Sequence, residues 1–262
     1  MGRTPDQVTH LSHSSIATFM RCPRQWAYSY LEGLRRPPGV ALIKGSALDK
    51  AATFNLDQKR VTKRDLHKDD VLEVAEDAFR KDVDNNGGQS EIDWEGTNFA
   101  RALDSAIGLT DIHMTYHAPL IQPREVQLEV HRLITPKGRD FVGFIDFVEE
   151  DGTLGDVKSG SRRMPAGDAD TDQQASAYAW LVGEPIAFRY WRAIDTGSKK
   201  THEVVETGRD QVAIDWFAGK AADVSAAIDA GVFPPNDQGW WCDKRWCGFY
   251  RMCHEGRKPR IG

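Results

Sequence analysis

The sequence has no long apolar run and no excess of positive charge. No apolar stretch approaches the roughly 20 residues of a membrane-spanning helix, so we do not expect the chain to cross a bilayer. The first residues lack the basic-then-apolar pattern of a secretory signal peptide, which predicts a cytoplasmic protein. The formal net charge of −5 excludes a polycation that coats nucleic acid through bulk charge. An enzyme that acts on nucleic acid is not excluded, because a metal site needs carboxylates.

Positive charge is nevertheless concentrated near both ends of the chain. The two groups are Arg21, Arg24, Arg35, Arg36 and Lys44, and then Lys244, Arg245, Arg251, Arg257, Lys258 and Arg260. A solvated surface accounts for either group as well as a nucleic-acid contact does. The phosphate-binding pattern G-x-x-x-x-G-K-[ST] is missing, so unwinding of a duplex would need a partner protein.

Hydrophobic periodicity predicts a mixed α/β core preceded by helices. The predicted helices cover 11–31 (interrupted at Cys22-Pro23), 45–56, 65–83, 95–117, 170–182 and 209–230, and the predicted strands cover 124–134, 139–149, 152–158, 185–194 and 201–207. A turn at Pro136-Lys137-Gly138 would join the first two strands. With 262 residues, 40% of them hydrophobic, the chain suffices for one large globular domain with a helical insertion over about 50–120.

The segment from Gly143 to Gly160 has the pattern of a metal site. Asp146 lies within one predicted strand, and Asp156 and Lys158 lie at the end of the next, on the same face because side chains alternate. Two converging carboxylates repel each other, and Mg²⁺ or Mn²⁺ would relieve that repulsion. An adjacent lysine could stabilise charge on a phosphate. An exposed Asp–Lys ion pair remains an alternative.

Gln174 and Tyr178 share a face of the next predicted helix, because they are four residues apart. They could hydrogen-bond a phosphate or the lysine, or they could simply form a polar helix surface.

Only four cysteines are present, three of them close together near the end of the chain. They are Cys22, Cys242, Cys247 and Cys253. Clustered cysteines in a cytoplasmic protein are more often metal ligands than disulfides. The spacings are looser than those of zinc sites with two close pairs, and four thiolates suit a 4Fe-4S cluster. Zinc and unligated thiols remain alternatives. The neighbouring aromatic residues suggest a dry shell around the ligands or a stacking platform for bases.

Taken together, these motifs resemble the RecB-type branch of the PD-(D/E)xK nucleases over about residues 11–254. The resemblance is closest to the iron–sulfur exonucleases associated with CRISPR systems and their phage-borne relatives. It is carried by the opening LSHSSIATFMRCPRQWAYSYLEGLR, by GFID, by DVK, by Gln174…Tyr178 and by the four cysteines, all in the family's order.

The resemblance implies a restriction-endonuclease-like sheet flanked by helices, with an iron–sulfur region joining the N- and C-termini. Residues 1–262 would form a single nuclease domain, with an N-terminal part over 11–44, a helical insertion over 45–120, a nuclease core over 121–232 and a cluster-binding tail over 233–262. It further implies a prokaryotic or phage-infected cell and recombination, repair or CRISPR-type proteins as partners.

The resemblance also assigns roles to individual residues. Asp146, Asp156 and the Val157 carbonyl would bind the metal, Lys158 would be catalytic, and Gln174 and Tyr178 would support the site or the substrate. Cys22, Cys242, Cys247 and Cys253 would hold the 4Fe-4S cluster.

One position departs from the family pattern. Where the family carries a histidine ligand after a Gly-Ser/Thr turn, this chain has Asp49, in KGSALDKAA. An oxygen donor at this position would favour harder ions such as Mg²⁺. Asp49 could instead be a helix-surface residue.

The expected function is therefore metal-dependent hydrolysis of DNA, preferably from single-stranded ends. The alternatives are a non-catalytic DNA-binding accessory module and an endonuclease or flap nuclease on the same fold.

Overall fold

The computed structural model describes residues 2–135 and 138–256 of the chain. Its helices are α1 (His13–Arg21), α2 (Pro23–Trp26), α3 (Val40–Thr62), α4 (Lys68–Asn85), α5 (Phe99–Ile112), α6 (Asp168–Thr171), α7 (Gln173–Val182), α8 (Gln211–Asp229) and α9 (Tyr250–Glu255). Its strands are β1 (His10–Leu11), β2 (Pro123–Leu133), β3 (Asp140–Glu149), β4 (Leu154–Gly160), β5 (Ile186–Asp195) and β6 (Lys200–Arg209).

The six strands form one mixed sheet with β3, β4 and β5 near its centre. The strand order is β1-β3-β4-β5-β6, and β2 also pairs with β3. Strand β3 is antiparallel to β2 and β4, whereas β4 and β5 run parallel, which requires the crossover helices α6 and α7 between them.

Helices cover both faces of this sheet. On one face, residues of α1, α7 and α8 form the larger core with Phe141 of β3 and Phe188 of β5. On the other face, Leu48 and Leu56 of α3 and residues of α5 pack with Phe147 and Trp191. Apolar side chains on alternating strand positions supply both cores. The predicted mixed α/β core flanked by helices is confirmed.

Helices α3, α4 and α5 also pack against one another around a core of their own, which includes Val40, Phe79 and Leu103. Helix α3 begins at Val40, five residues before its predicted start, and continues to Thr62. Gly39 is the N-cap of this helix, and its carbonyl accepts hydrogen bonds from the Leu42 and Ile43 amides. The preceding Pro37-Pro38 segment is not helical. The division of the chain into four parts stays a prediction.

Cys22 interrupts the first helical segment, as predicted. Its backbone is extended (φ −160°, ψ 104°), and Pro23 begins the next helix at the first position, where its missing N–H costs nothing. The segment 234–236 packs here: the Arg24 amide donates to the Pro234 carbonyl at 3.3 Å, and the Asn236 side chain donates to the Arg21 carbonyl at 2.9 Å. Residues near the two ends of the chain are therefore neighbours.

The predicted turn at Pro136-Lys137-Gly138 lies partly outside the described residues, as do Arg257, Lys258 and Arg260 of the second basic group. Of the helices in the described ranges, none has the length and apolar character to cross a membrane.

Candidate active site

The β3–β4 hairpin sets the position of the acidic residues. Its turn contains Gly152 at φ +87°, a conformation that favours glycine. Beyond the turn, the strands pair only at Phe147–Gly155 and Val148–Leu154. A Cβ on Gly155 would lie 2.1 Å from the Phe147 ring, so only glycine permits this close approach. After these two pairs the strands separate.

Asp146 lies where the strands separate. Its Oδ2 accepts a hydrogen bond from the Val157 amide at 2.9 Å. The Val157 N–H has left the ladder with β3, and the carboxylate satisfies it. This contact fixes the Asp146 carboxyl group beside the middle of β4.

Asp156 is fully buried and holds its two oxygens in different environments. Its Oδ1 accepts hydrogen bonds from Lys158 Nζ at 2.8 Å and from Gln174 Nε2 at 2.7 Å. Its Oδ2 is buried without a hydrogen-bond partner in the described structure. A buried carboxylate oxygen with no partner is costly, and it is the kind of atom that a cation would satisfy.

Helix α7 holds Asp156 from the other side. Gln174 Nε2 donates to Tyr178 Oη at 3.1 Å as well as to Asp156, and Tyr178 Oη donates to the Phe144 carbonyl at 2.6 Å. A Cβ on Gly143 would lie 2.3 Å from Leu181 Cδ1 and 3.3 Å from the Tyr178 ring. The glycine of the Gly-x-x-Asp motif therefore allows α7 to approach β3.

A single cavity of about 440 Å³ collects every predicted site residue outside the cysteine group. Its lining includes Asp49, Asp146, Asp156, Val157, Lys158, Gln174 and Tyr178. Gly45 and Ser46, which precede Asp49 on α3, also line it. The structure thus brings Asp49 to the same cavity as the strand carboxylates, although 97 residues separate it from Asp146.

The electrostatics of the cavity are dominated by its carboxyl groups. Burial raises the pKa of Asp146 well above its usual value, and the Asp156 charge raises it further, while Lys158 lowers it. Burial also raises the pKa of Asp49. Burial lowers the pKa of Lys158, but Asp156 and Asp146 outweigh it, so this pKa is raised overall. Lys158 therefore stays protonated, and its positively charged ammonium group lies near three carboxyl groups.

The raised pKa of Asp146 predicts a pH-dependent stability for the metal-free protein. Between the unfolded-state value of 3.8 and the raised folded-state value, the native protein binds more protons, so the free energy of unfolding falls as pH rises. Asp146→Asn removes this loss. In melts with a chelator, we expect its Tm advantage over wild type to grow as pH rises from about 4 to 7.

Asp223→Asn, which removes an exposed carboxylate of α8 outside the cavity, is the matched control. A Tm difference between Asp146→Asn and wild type that stays constant over the same range would contradict the assigned burial effect.

The residues present fit a divalent cation that keeps much of its water. Among the described residues, no three His, Cys, Asp or Glu side chains are arranged to hold a metal ion directly. Mg²⁺ usually binds through one or two carboxylates, with waters and substrate phosphates completing its shell. The free Oδ2 of Asp156 and the neighbouring Asp146 meet that smaller requirement.

Comparisons with known proteins agree with this geometry. The family model described as "PD-(D/E)XK nuclease superfamily" matches residues 10–254. The chain belongs to this superfamily. No curated protein matches its sequence.

Two solved structures are similar to this PD-(D/E)XK chain. One is described as a "putative exonuclease" from Eubacterium rectale, with 14% identity, a TM-score of 0.58, and coverage of 98% of this chain and 91% of that one. The other, described as SSO0001, has 12% identity, a TM-score of 0.41, and coverage of 95% and 88%. At these identities, the first likeness shows the fold.

The four cysteines of this PD-(D/E)XK chain line a second, narrow cavity between α2 and the tail. None of the four forms a disulfide with another described residue. Cys22 Sγ accepts from the Asn236 amide at 3.4 Å, and Cys242 Sγ lies 3.4 Å from His254 Nε2. Burial, followed by the neighbouring Cys247, raises the pKa of Cys242. The structure therefore brings residue 22 together with the three cysteines of the tail.

The aromatic residues of the tail divide into two groups. Phe249 (2% exposed) and Tyr250 line the cysteine cavity and shield it. Trp240 and Trp246 are 71% and 56% exposed and meet edge to face at 5.9 Å. The predicted dry shell is therefore smaller than the sequence suggested.

Sequence reasoning missed His13, which lies on the first turn of α1. Burial lowers its pKa, and Asp172, Lys158 and Asp156 act on it electrostatically, so it lies near the site. The segment Ser12-His13-Ser14 indicated only the start of a helix. Ser12 does cap α1, because its Oγ accepts a hydrogen bond from the Ser15 amide.

Proposed function

We propose that the chain is a metal-dependent deoxyribonuclease that hydrolyses phosphodiesters from single-stranded ends. The observation that carries this proposal is the unpartnered, buried Oδ2 of Asp156, in a cavity shared with Asp146, Asp49 and Lys158. Membership of the PD-(D/E)XK nuclease superfamily supports hydrolysis of nucleic acid. The likeness to the Eubacterium rectale protein, which is described as a putative exonuclease, supports the choice of an exonuclease.

Asp49, Asp146, Asp156 and the Val157 carbonyl would hold Mg²⁺ or Mn²⁺ together with bound waters, because the three carboxyl groups are not arranged to bind the ion all at once directly. When bound, the ion would supply Lewis-acid stabilisation of charge on the phosphate. Lys158 remains protonated and 43% exposed, so it can bind a phosphate oxygen while keeping contact with Asp156. Gln174 and Tyr178 keep Asp156 in one orientation and exclude water from its buried side.

Asp49 is proposed as a ligand in place of the histidine of the resembled family. Its position in the cavity supports this role, and its carboxylate favours hard ions. Calorimetric titration with Mn²⁺ tests it: an unchanged affinity in Asp49→Ala would refute the ligand role.

Cys22, Cys242, Cys247 and Cys253 are proposed to hold a structural 4Fe-4S cluster. Their convergence on one cavity supports a shared ligand, and four thiolates suit such a cluster. The cluster would join residues near the two ends of the chain.

Digestion of end-labelled DNA tests the proposed activity. Protein purified without oxygen is incubated with linear single strands, linear duplex and closed circles, in Mg²⁺, Mn²⁺ or a chelator. We expect metal-dependent loss of linear single strands while circles persist. Cutting of circles would replace the exonuclease with an endonuclease. No cutting by cluster-loaded protein would leave a DNA-binding accessory module.

A further inference from the structure

A third, larger space is a cleft lined by N-terminal residues beside the candidate active-site cavity. It has a volume of about 850 Å³ and is formed by α1, α2 and the segment that leads into α3. Four arginines line it: Arg3, Arg21, Arg35 and Arg36. Glu32 is the one acidic residue among its described lining residues, so the cleft is strongly positive in a chain whose net charge is −5.

Among the described residues, none of these four guanidinium groups forms an ion pair. Every arginine that forms an ion pair in the described structure lies outside this cleft. The Nε of Arg21 is buried and has no hydrogen-bond partner in the described structure. Like charges lining one cleft repel each other, and a polyanion would remove that cost.

The cleft adjoins the candidate active-site cavity at Leu42. This side chain lines both spaces and is 65% exposed. At the opposite side, Arg36 Nη1 donates to the Trp246 carbonyl at 2.9 Å, which connects the cleft to the cysteine-containing tail. A strand leaving the candidate active-site cavity past Leu42 would enter the positive cleft directly.

The lining also offers apolar surface beside the charges. Leu34, Pro37, Pro38 and Leu42 contribute to it. The bases of a duplex are stacked and paired, whereas those of a single strand can lie on such a surface while the phosphates meet arginines. The combination favours a single strand over a duplex.

We propose that this arginine-lined cleft binds the phosphates of a single nucleic-acid strand several nucleotides from the scissile bond. The inference rests on the proposed function, because it names where that substrate is held. Arg3 and Arg35 are exposed members of the cleft and bind without taking part in hydrolysis.

The test measures binding rather than cleavage. Fluorescence anisotropy measures the Kd of labelled oligothymidylates for Lys158→Ala protein with its cluster. The oligomers range from about 3 to about 20 nucleotides, which brackets the usual site sizes. Adding R3Q/R35Q is expected to raise Kd for long oligomers about tenfold at low salt. The slope of log Kd against log salt should fall by about 1.4, or about 0.7 for each lost contact. The shortest oligomers should bind unchanged.

Two further variants make the result specific. R3K/R35K keeps the charges and should restore most of the affinity. R101Q/R124Q removes two exposed arginines that line neither cavity, and it should leave Kd and slope unchanged.

The outcomes separate this proposal from the proposed function. Unchanged binding in R3Q/R35Q, with a wild-type enzyme that cleaves single strands, would overturn the cleft alone. Arginine-dependent binding by a wild type that cleaves nothing would support the cleft and overturn the nuclease. An equal rise in Kd for a labelled duplex of the same length, measured in the same way, would overturn the preference for a single strand.

Discussion

Lys158→Ala is expected to lower kcat for linear single-stranded DNA by about a hundredfold or more, the usual cost of losing one charge-stabilising donor. Lys158 is the one basic residue among the described residues that line the candidate active-site cavity. Its Nζ lies 2.8 Å from Asp156 Oδ1, at the place where a phosphate would meet the carboxylates. Initial rates with labelled strands over a range of substrate concentrations would separate kcat from KM.

The same substitution should shift the pH profile. Lys158 lowers the pKa of Asp146 and of Asp49, so removing it raises both pKa values. Metal binding requires ionised carboxylates, so the acidic limb of the remaining activity should move to higher pH. A basic residue remote from these carboxyl groups would not produce this shift.

Lys81→Ala, which removes an exposed lysine of α4, is the matched control and should leave kcat and the pH profile unchanged. Circular dichroism would show whether Lys158→Ala keeps its fold. A folded variant with wild-type kcat would remove Lys158 from the catalytic groups.

The strand motifs were predictable because their geometry is local. The alternation of side chains placed Asp156 and Lys158 on one face, and helical spacing placed Gln174 and Tyr178 on one face of α7. The structure adds the contacts that join the strand and the helix: Gln174 and Lys158 both donate to the same oxygen of Asp156.

Other parts of the site depend on long-range packing that no local pattern encodes. The hydrogen bond from the Val157 amide to Asp146 exists because β3 and β4 separate after Gly155. Asp49 reaches the cavity because α3 packs beside β4. Gly45 allows this close packing, since a Cβ at its position would lie 3.2 Å from Ser159 Oγ. Only the family resemblance, and not the spacing of carboxylates, drew attention to Asp49.

Cys253→Ala is expected to destabilise the protein by a few kcal/mol, on the order of the effect of a cross-link that closes a long loop. A cluster held by Cys22 and the tail would close a loop over most of the chain. For a chain of this size the loss corresponds to a fall in Tm of about 10 °C. Melts followed by circular dichroism, together with iron and sulfide analysis of anaerobically purified protein, measure both consequences.

Met252→Ala provides the control, because Met252 is the preceding residue on α9 and does not line the cysteine cavity. It should retain iron and sulfide, whereas Cys253→Ala should lose both. A wild type with zinc and no sulfide would replace the cluster with a zinc site while keeping the cross-link. A Cys253→Ala variant with wild-type Tm would show that the cross-link does not stabilise the fold. In that case the Arg24–Pro234 and Asn236–Arg21 hydrogen bonds would suffice to hold the tail.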